Sequence, residues 1–166
     1  MSPVKKTARK TVRKKAEPKA PGADELKFMI DSAFERRAML TLDEIEGSTR
    51  PTVERVIQGL ESGEFRVAEP DGKGGWTVNE WLKKAVLLYF RVNEMQVVEG
   101  YPAPYWDKVP SRFDGFGEAD FRKLGVRVVP GAIARRGAHI AKDVVLMPSF
   151  VNIGAHVGEG TMVDTW

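Results

Sequence analysis

The sequence contains no cysteine, and this excludes disulfide bonds, zinc–thiolate sites and cysteine nucleophiles. No apolar run approaches the roughly 20 residues that a membrane-spanning helix needs. The apolar core of a secretory signal, which takes about 7–15 residues, is also missing. Together these absences predict a cytoplasmic protein with no membrane segment.

Acidic residues are scarce at the start of the chain. Residues 1–22 contain eight lysines and arginines but only one glutamate, so the remaining residues carry a net charge of −4 although the whole chain carries +3. Large apolar side chains are almost absent there, and we expect 1–23 to form a basic disordered tail. Such a tail could bind nucleic acid through phosphate contacts. The acidic body and the lack of interleaved aromatic residues make nucleic-acid binding the less favoured reading.

The segment from 24 to 125 is predicted to be an α/β N-terminal domain. Apolar residues recur at helical spacing over 24–40, after Pro51 and over 80–91, and a shorter helix is expected at 118–124. A hairpin is expected over 65–78, with the turn at Gly72–Gly75. That turn lacks the Lys-Ser/Thr pair of a phosphate-binding loop, so it is interpreted as a hairpin turn only.

From 126 to 166 the sequence has a period of six. One phase of this period holds aliphatic or small side chains expected to point inward: Val128, Ala134, Ile140, Leu146, Val151, Val157 and Val163, with one shortened step before Val151. Four residues after each lies a mostly small side chain, in a series that includes Phe150. This pattern is typical of a parallel β-helix, in which each hexad forms one flat side of a triangular coil. Only about two coils fit, so we expect an incomplete β-helix truncated at the C-terminus.

Several motifs together resemble one family, the tetrahydrodipicolinate N-succinyltransferases. They lie at 33–37 (AFERR), 81–88 (WLKKAVLL), 106–110 (WDKVP), 145–155 (VLMPSFVNIGA) and 160–166 (GTMVDTW). The resemblance implies a left-handed parallel β-helix and a homotrimer. It also implies transfer of a succinyl group from succinyl-CoA, a co-substrate and not a bound cofactor, to a cyclic dicarboxylate in the diaminopimelate route to lysine.

Two residues match family positions that contact the acceptor. Arg127 matches the position that binds the dicarboxylate, and a guanidinium suits this task because it donates two parallel hydrogen bonds to one carboxylate. Asp164 also matches a position that contacts the acceptor, and a carboxylate there can orient the amine and accept its proton. The resemblance therefore implies that Arg127 and Asp164 bind substrate and that Asp164 is catalytic. Residues of the coenzyme A site are not identified.

The two histidines, His139 and His156, share one phase of the repeat and are expected to stack on adjacent coils. Catalytic zinc normally takes three protein ligands, and the sequence has no third histidine. A histidine ladder is therefore favoured over a metal site. Two other functions stay open: a hexapeptide acyltransferase with another acceptor or donor, and a nucleic-acid binder that acts through its tail.

Overall fold

A computed structural model of the chain describes residues 21–100 and 103–165. Most of the predicted tail, 1–23, and the final Trp166 lie outside these residues. Within them, seventeen short elements form a helical part followed by stacked parallel strands. In the part of the chain described, no helix is both long enough and apolar enough to cross a bilayer.

Three helices of equal length build the first core: α1 (Ala23–Glu35), α3 (Arg50–Ser62) and α4 (Glu80–Val92). Their apolar faces meet in a cluster that includes Leu26, Ile30, Val53, Val56, Ile57, Leu82, Ala85 and Leu88. The helix predicted over 24–40 ends earlier, at Glu35, because the chain turns at 36–39 and a new helix start follows.

That new start, α2 (Leu42–Glu44), was not predicted. Thr41 forms a capping box with Glu44, in which each side chain accepts a hydrogen bond from the other residue's backbone N–H. A π-helical turn, Ile45–Thr49, then leads into α3. Pro51 has no N–H and cannot donate the hydrogen bond that an α-helix would need there. The π-helical turn, with its longer i to i+5 hydrogen bonds, lies directly before the start of α3.

Two antiparallel hairpins accompany the helices. Strand β1 (Ala68–Pro70) pairs with β2 (Trp76–Val78), and β3 (Gln96–Val98) pairs with β4 (Tyr105–Asp107). In the first hairpin, Asp71 Oδ1 accepts hydrogen bonds from the N–H groups of Lys73 and Gly75. The predicted hairpin turn is confirmed.

After helix α5 (Glu118–Leu124), seven two-residue strands follow at nearly regular intervals. They are β5 (Arg127–Val128), β6 (Ile133–Ala134), β7 (His139–Ile140), β8 (Val145–Leu146), β9 (Phe150–Val151), β10 (His156–Val157) and β11 (Met162–Val163). In every strand the second residue is the one predicted to point inward.

The strands pair in parallel between successive coils and define three sides. Side 1 consists of β5, β8 and β11, side 2 of β6 and β9, and side 3 of β7 and β10. The predicted inward residues Ala134, Ile140, Leu146 and Val151 are buried in a second apolar cluster between these sides. Parallel stacking of this kind is how a β-helix begins, as the six-residue period predicted.

The shortened step corrects one detail of the sequence interpretation. The six-residue count predicts that Phe150 occupies a small, inner position of the repeat. Its side chain is instead 52% exposed and lies on the outer face of side 2. Ser149 takes the small inner position instead: it is buried, and its hydroxyl donates a 2.7 Å hydrogen bond to the Met147 carbonyl. The step from Leu146 to Val151 is five residues instead of six. The small residue lies two positions before the next inward residue, Val151, and this position is Ser149.

Helix α3 packs against side 3 of the coil. The two approach so closely that a Cβ atom added to Gly137 would lie 3.0 Å from both the Ile57 and Ile153 side chains. Ile153, although it belongs to the coil segment, is buried in the first apolar cluster. The helical part thus covers side 3 of the coil, and the β3–β4 hairpin faces side 2. The predicted division at residue 125 stays a prediction.

Candidate functional site

Arg127 and Asp164 lie on the same outer face of the coil. Strand pairing places Arg127, Val145 and Met162 in one row across side 1. Since side chains alternate along a strand, the outward positions two residues further on are Val129, Met147 and Asp164. The two predicted site residues therefore occupy opposite corners of a patch three strands wide and two rows deep. In one chain they share this patch but are not adjacent.

Arg127 is exposed beside a shallow cavity of about 410 Å³. The C-terminal end of α5 and the corner before β8 form its other walls, with Phe121, Arg122 and Asp143 among the lining residues. Asp143 adopts a φ of 60°, a left-handed conformation that aspartate tolerates better than most residues, and its N–H donates to the Gly125 carbonyl. This corner fixes the end of side 1 where Arg127 lies, and Arg122, at the same cavity, is paired with Glu118.

Asp164 is exposed at the other end of the patch. Its Oδ1 atom accepts a 2.8 Å hydrogen bond from the Thr165 N–H, which orients the carboxylate. The strand that carries it is held by the bond from the Met147 N–H to the Val163 carbonyl, 2.9 Å long. A fixed and solvent-accessible carboxylate is available here to accept a hydrogen bond or a proton.

The other arginines of the first coil have structural partners. Arg136 forms a 2.6 Å ion pair with Glu54 of α3, and Arg135 forms one of 2.5 Å with Asp107 of β4. Each of these four side chains is about one-third exposed or less, and both pairs join the coil to the helical part. Arg127 differs from both neighbours because it makes no such ion pair among the described residues.

His139 and His156 stack as predicted, with ring centroids 4.3 Å apart and an interplanar angle of 24°. The ladder lies against the end of α3, where His139 Nδ1 is 3.1 Å from the Glu61 carbonyl oxygen, so this nitrogen carries the proton. Desolvation, the neighbouring His139 and Arg66 lower the pKa of His156 to about 4. His156 is therefore neutral at neutral pH, and its buried Nδ1 has no hydrogen-bond partner within the described ranges.

Metal binding finds no support at this ladder. Across residues 21–100 and 103–165, no group of three or more histidine, aspartate or glutamate side chains is arranged to hold an ion. The ladder's place between coil and helix is instead that of a packing contact.

A larger cavity, of about 660 Å³, is lined by neither predicted site residue, although Val128 and Val129, which directly follow Arg127, are part of its lining. The β3–β4 hairpin and side 2 form its walls, with Trp106, Ile133 and Phe150 among its mostly apolar lining. Sequence periodicity did not reveal it, because its two walls are brought together only by tertiary packing. Phe150, at its rim, was concealed by the shortened step.

Comparison with known proteins agrees with the motifs. Residues 25–92 match the family model described as the tetrahydrodipicolinate N-succinyltransferase N-terminal domain. The chain is 69% identical over 137 residues to a protein from Xylella fastidiosa (strain 9a5c) named 2,3,4,5-tetrahydropyridine-2,6-dicarboxylate N-succinyltransferase. The aligned stretch covers 82% of this chain and 50% of the relative. A protein of the same name from Parvibaculum lavamentivorans is 55% identical over 145 residues, which cover 86% of this chain and 51% of the relative. Another, from Bradyrhizobium diazoefficiens, is 56% identical over 143 residues, which cover 85% of this chain and 50% of the relative.

The chain spans about half the length of the curated relatives it matches. An aligned stretch of 137 residues is too long to fit on either side of Arg127, so the similarity to the Xylella protein includes that residue. The resemblance that the motifs predict, to the tetrahydrodipicolinate N-succinyltransferases, is confirmed by the match of residues 25–92 to that family's N-terminal model and by the identity to these relatives.

Proposed function

We propose that this chain contributes the acceptor-binding part of an enzyme that transfers the succinyl group of succinyl-CoA to tetrahydrodipicolinate, in the diaminopimelate route to lysine. The observation that carries the proposal is the 69% identity to a protein of that name over a stretch that includes Arg127. The geometry of side 1 supports it, because a free guanidinium and an oriented carboxylate share one accessible face.

Each residue has a chemical task in this reaction. Arg127 donates two parallel hydrogen bonds to one carboxylate of the acceptor and thereby fixes its position. Asp164 orients the acceptor's nitrogen toward the thioester and accepts its proton. The ring nitrogen of a tetrahydropyridine is an imine without an N–H, so water first adds across its C=N bond and gives an amine. The amine nitrogen attacks the thioester carbonyl carbon, a C–N bond forms and the C–S bond breaks. Asp164 accepts the proton that the nitrogen releases, and coenzyme A leaves as the thiolate, which takes up a proton.

Succinyl-CoA enters as a co-substrate, and no bound cofactor is needed for this chemistry. The carbonyl carbon of a thioester is itself the electrophile, so binding and orientation of the two substrates are the main requirements. A cytoplasmic location fits the absence of cysteine and belongs to the same proposal.

The proposal includes a left-handed β-helix and a homotrimer. Its support is the similarity to that family together with large apolar side chains on the outer faces of the coil. Ile133 and Phe150 lie on paired strands of side 2 and Met162 lies on side 1, and each is at least 36% exposed. Exposed apolar patches mark protein interfaces. Side 3 is covered by the chain's own helix α3 and is not available for the same contact.

The test uses a chimera in which this chain replaces the matching half of the Xylella fastidiosa relative. Release of coenzyme A from succinyl-CoA is measured with and without the cyclic dicarboxylate acceptor. We expect acceptor-dependent release, and its loss by a factor of about 100 or more in Asp164→Asn, the scale of general-base catalysis. Acceptor-independent hydrolysis alone, or full activity of Asp164→Asn, would refute the proposal.

The alternatives give different results in the same system. A hexapeptide acyltransferase of other specificity releases coenzyme A only with another acyl donor or another amine. A nucleic-acid binder shows salt-sensitive binding to duplex DNA that disappears when residues 1–22 are removed. The tail residues involved lie outside the described ranges, and no structural observation favours that function.

A further inference from the structure

We propose that Ser149 is a positioning residue for the acyl transfer. Its buried hydroxyl holds the backbone of Met147, and Met147 in turn holds the strand that carries Asp164. This inference rests on the proposed function, in which Asp164 accepts the proton of the acceptor. It adds a residue that is buried, acts through the backbone and was not among the predicted site residues.

Four six-residue corners of the coil share one backbone hydrogen bond. In each of them the N–H of the small residue donates to the carbonyl three positions earlier, which belongs to the residue directly after an inward side chain. The bonds run from Ala132 to Val129, from Ala138 to Arg135, from Ala155 to Asn152 and from Thr161 to Gly158, and are 3.0, 3.0, 3.1 and 3.3 Å long. This bond satisfies a backbone carbonyl and fixes the turn toward the next side.

The five-residue corner before Val151 is too short for this bond. The corresponding carbonyl is that of Met147, and the small residue Ser149 follows it after two positions instead of three. The Ser149 hydroxyl takes the place of the backbone N–H and donates a 2.7 Å hydrogen bond to the Met147 carbonyl. Among the coil residues that the structure describes, Ser149 is the only buried one with a polar side chain. A side chain therefore supplies here what the backbone supplies at the four other corners.

Met147 connects this corner to Asp164. Its N–H donates a 2.9 Å hydrogen bond to the carbonyl of Val163, the residue directly before Asp164. Its carbonyl is held by Ser149, and the Ser149 carbonyl is tied to the preceding coil by a 2.8 Å bond from the Ile133 N–H. Without the hydroxyl this series of bonds is open at Met147, and the strand that carries Asp164 can shift. A proton acceptor must lie within hydrogen-bond reach of its proton, and a displacement of about 1 Å can cost a large part of the rate.

The equivalent corner of the first coil provides the design of a rescue variant. It reads VPGA over 129–132, whereas the shortened corner reads MPS over 147–149, and the strands that follow the two corners are paired. Gly131 adopts a φ of 93°, a left-handed conformation that suits glycine, and the next N–H, that of Ala132, reaches the Val129 carbonyl. Insertion of one glycine after Pro148, together with Ser149→Ala, copies this corner and restores the backbone bond without the hydroxyl.

The first experiment measures amide hydrogen exchange by NMR in the 166-residue chain, so it does not depend on activity. In Ser149→Ala we expect the Met147 N–H to exchange about tenfold faster, because its bond to Val163 opens more often. The Val145 N–H, which is bonded to the Thr161 carbonyl, should change less than about threefold. The rescue variant should return the Met147 rate to that of the unmodified chain. Equal acceleration at both amides, or none at Met147, would overturn the positioning role.

The second experiment measures steady-state kinetics in the chimera. We expect Ser149→Ala to lower kcat about tenfold or more, with KM for succinyl-CoA changed less than about threefold, since the shift affects the proton acceptor. The matched control is Thr52→Ala, which removes a buried hydroxyl that donates a 2.8 Å bond to the Ser48 carbonyl in the helical part. Both variants should melt about 2–4 °C lower, but only Ser149→Ala should lose kcat.

The outcomes separate this inference from the proposed function. Recovery of kcat in the rescue variant would support the positioning role, because that variant has the turn bond but no hydroxyl. A rescue variant that regains its melting temperature but not its kcat would overturn the role, as would an equal loss of kcat in Thr52→Ala. A normal kcat in Ser149→Ala beside an inactive Asp164→Asn refutes the positioning role alone, whereas full activity of Asp164→Asn refutes the proposed function.

Discussion

Acidification should weaken the contact between the histidine ladder and helix α3, and the sign of this effect follows from His156. Its pKa falls from the ordinary 6.5 to about 4 in the folded chain because of desolvation and the nearby charges of His139 and Arg66. Between these two values the unfolded chain binds more protons than the folded chain, so stability is lost as the pH falls from 6.5 toward 4.

The magnitude can be worked out from the same pair of values. A difference of one pKa unit corresponds to about 1.36 kcal/mol, so a fully developed shift of this size gives an upper bound of about 3.4 kcal/mol near pH 4. Only part of the linkage has developed at pH 5, and His156 is partly exposed to screening water. We therefore expect a loss of about 1 kcal/mol between pH 7 and pH 5.

The assay is urea unfolding of the 166-residue chain at pH 7, 6 and 5, compared with His156→Gln, which does not titrate. Removal of the stacked ring costs packing energy, and this part of the stability loss does not depend on pH. The slope of stability against pH between 7 and 5 should nevertheless be smaller in the variant. Parallel slopes in the two proteins would refute the reasoning, because the ladder would then contribute nothing to the acid sensitivity.

Three further predictions concern stability. Gly63→Ala should cost about 1–3 kcal/mol in urea unfolding, because Gly63 has a φ of +82° and the new Cβ would lie 2.7 Å from His139 Cε1; a neutral result would contradict the close packing of the ladder. Glu54→Gln and Arg136→Gln should each destabilise the chain, with a coupling energy of about 0.5–3 kcal/mol in a double-mutant cycle, and strict additivity would show that their 2.6 Å contact carries no energy. Leu146→Ala should cost about 2–5 kcal/mol by calorimetry, since the side chain is fully buried between the sides of the coil, and a cost below this range would mean that the coil interior collapses around the gap.

Much of the fold could be predicted because its determinants are local or periodic. The inward aliphatic series follows from the six-residue period, and the helices α3 and α4 follow from apolar spacing. Stacking of His139 on His156 also follows from the period, once the shortened step is counted.

Other features depend on contacts between distant segments and carry no local pattern. The α2 helix and its π turn have few apolar residues and rest on the Thr41 capping box, a signal of two residues. The ion pair between Arg136 and Glu54 joins residues 82 positions apart, and nothing near either residue marks the other. The same holds for the large cavity at side 2.

The candidate site was predictable only as a pair of residues. The motifs indicate Arg127 and Asp164, but the distance between the two residues depends on the strand register of side 1, which the sequence pattern does not give.

The shortened corner before Val151 shows which part of the coil accepts a different length. Although this step is one residue shorter than the others, Ile133 still pairs with Phe150 and Val145 with Met162 on the sides that follow. Corners therefore tolerate changes in length, whereas the straight segments do not, because a one-residue slip within a strand would exchange inside and outside. One corner of this coil is thus a residue shorter than the others while the face that carries Arg127 and Asp164 keeps its alignment.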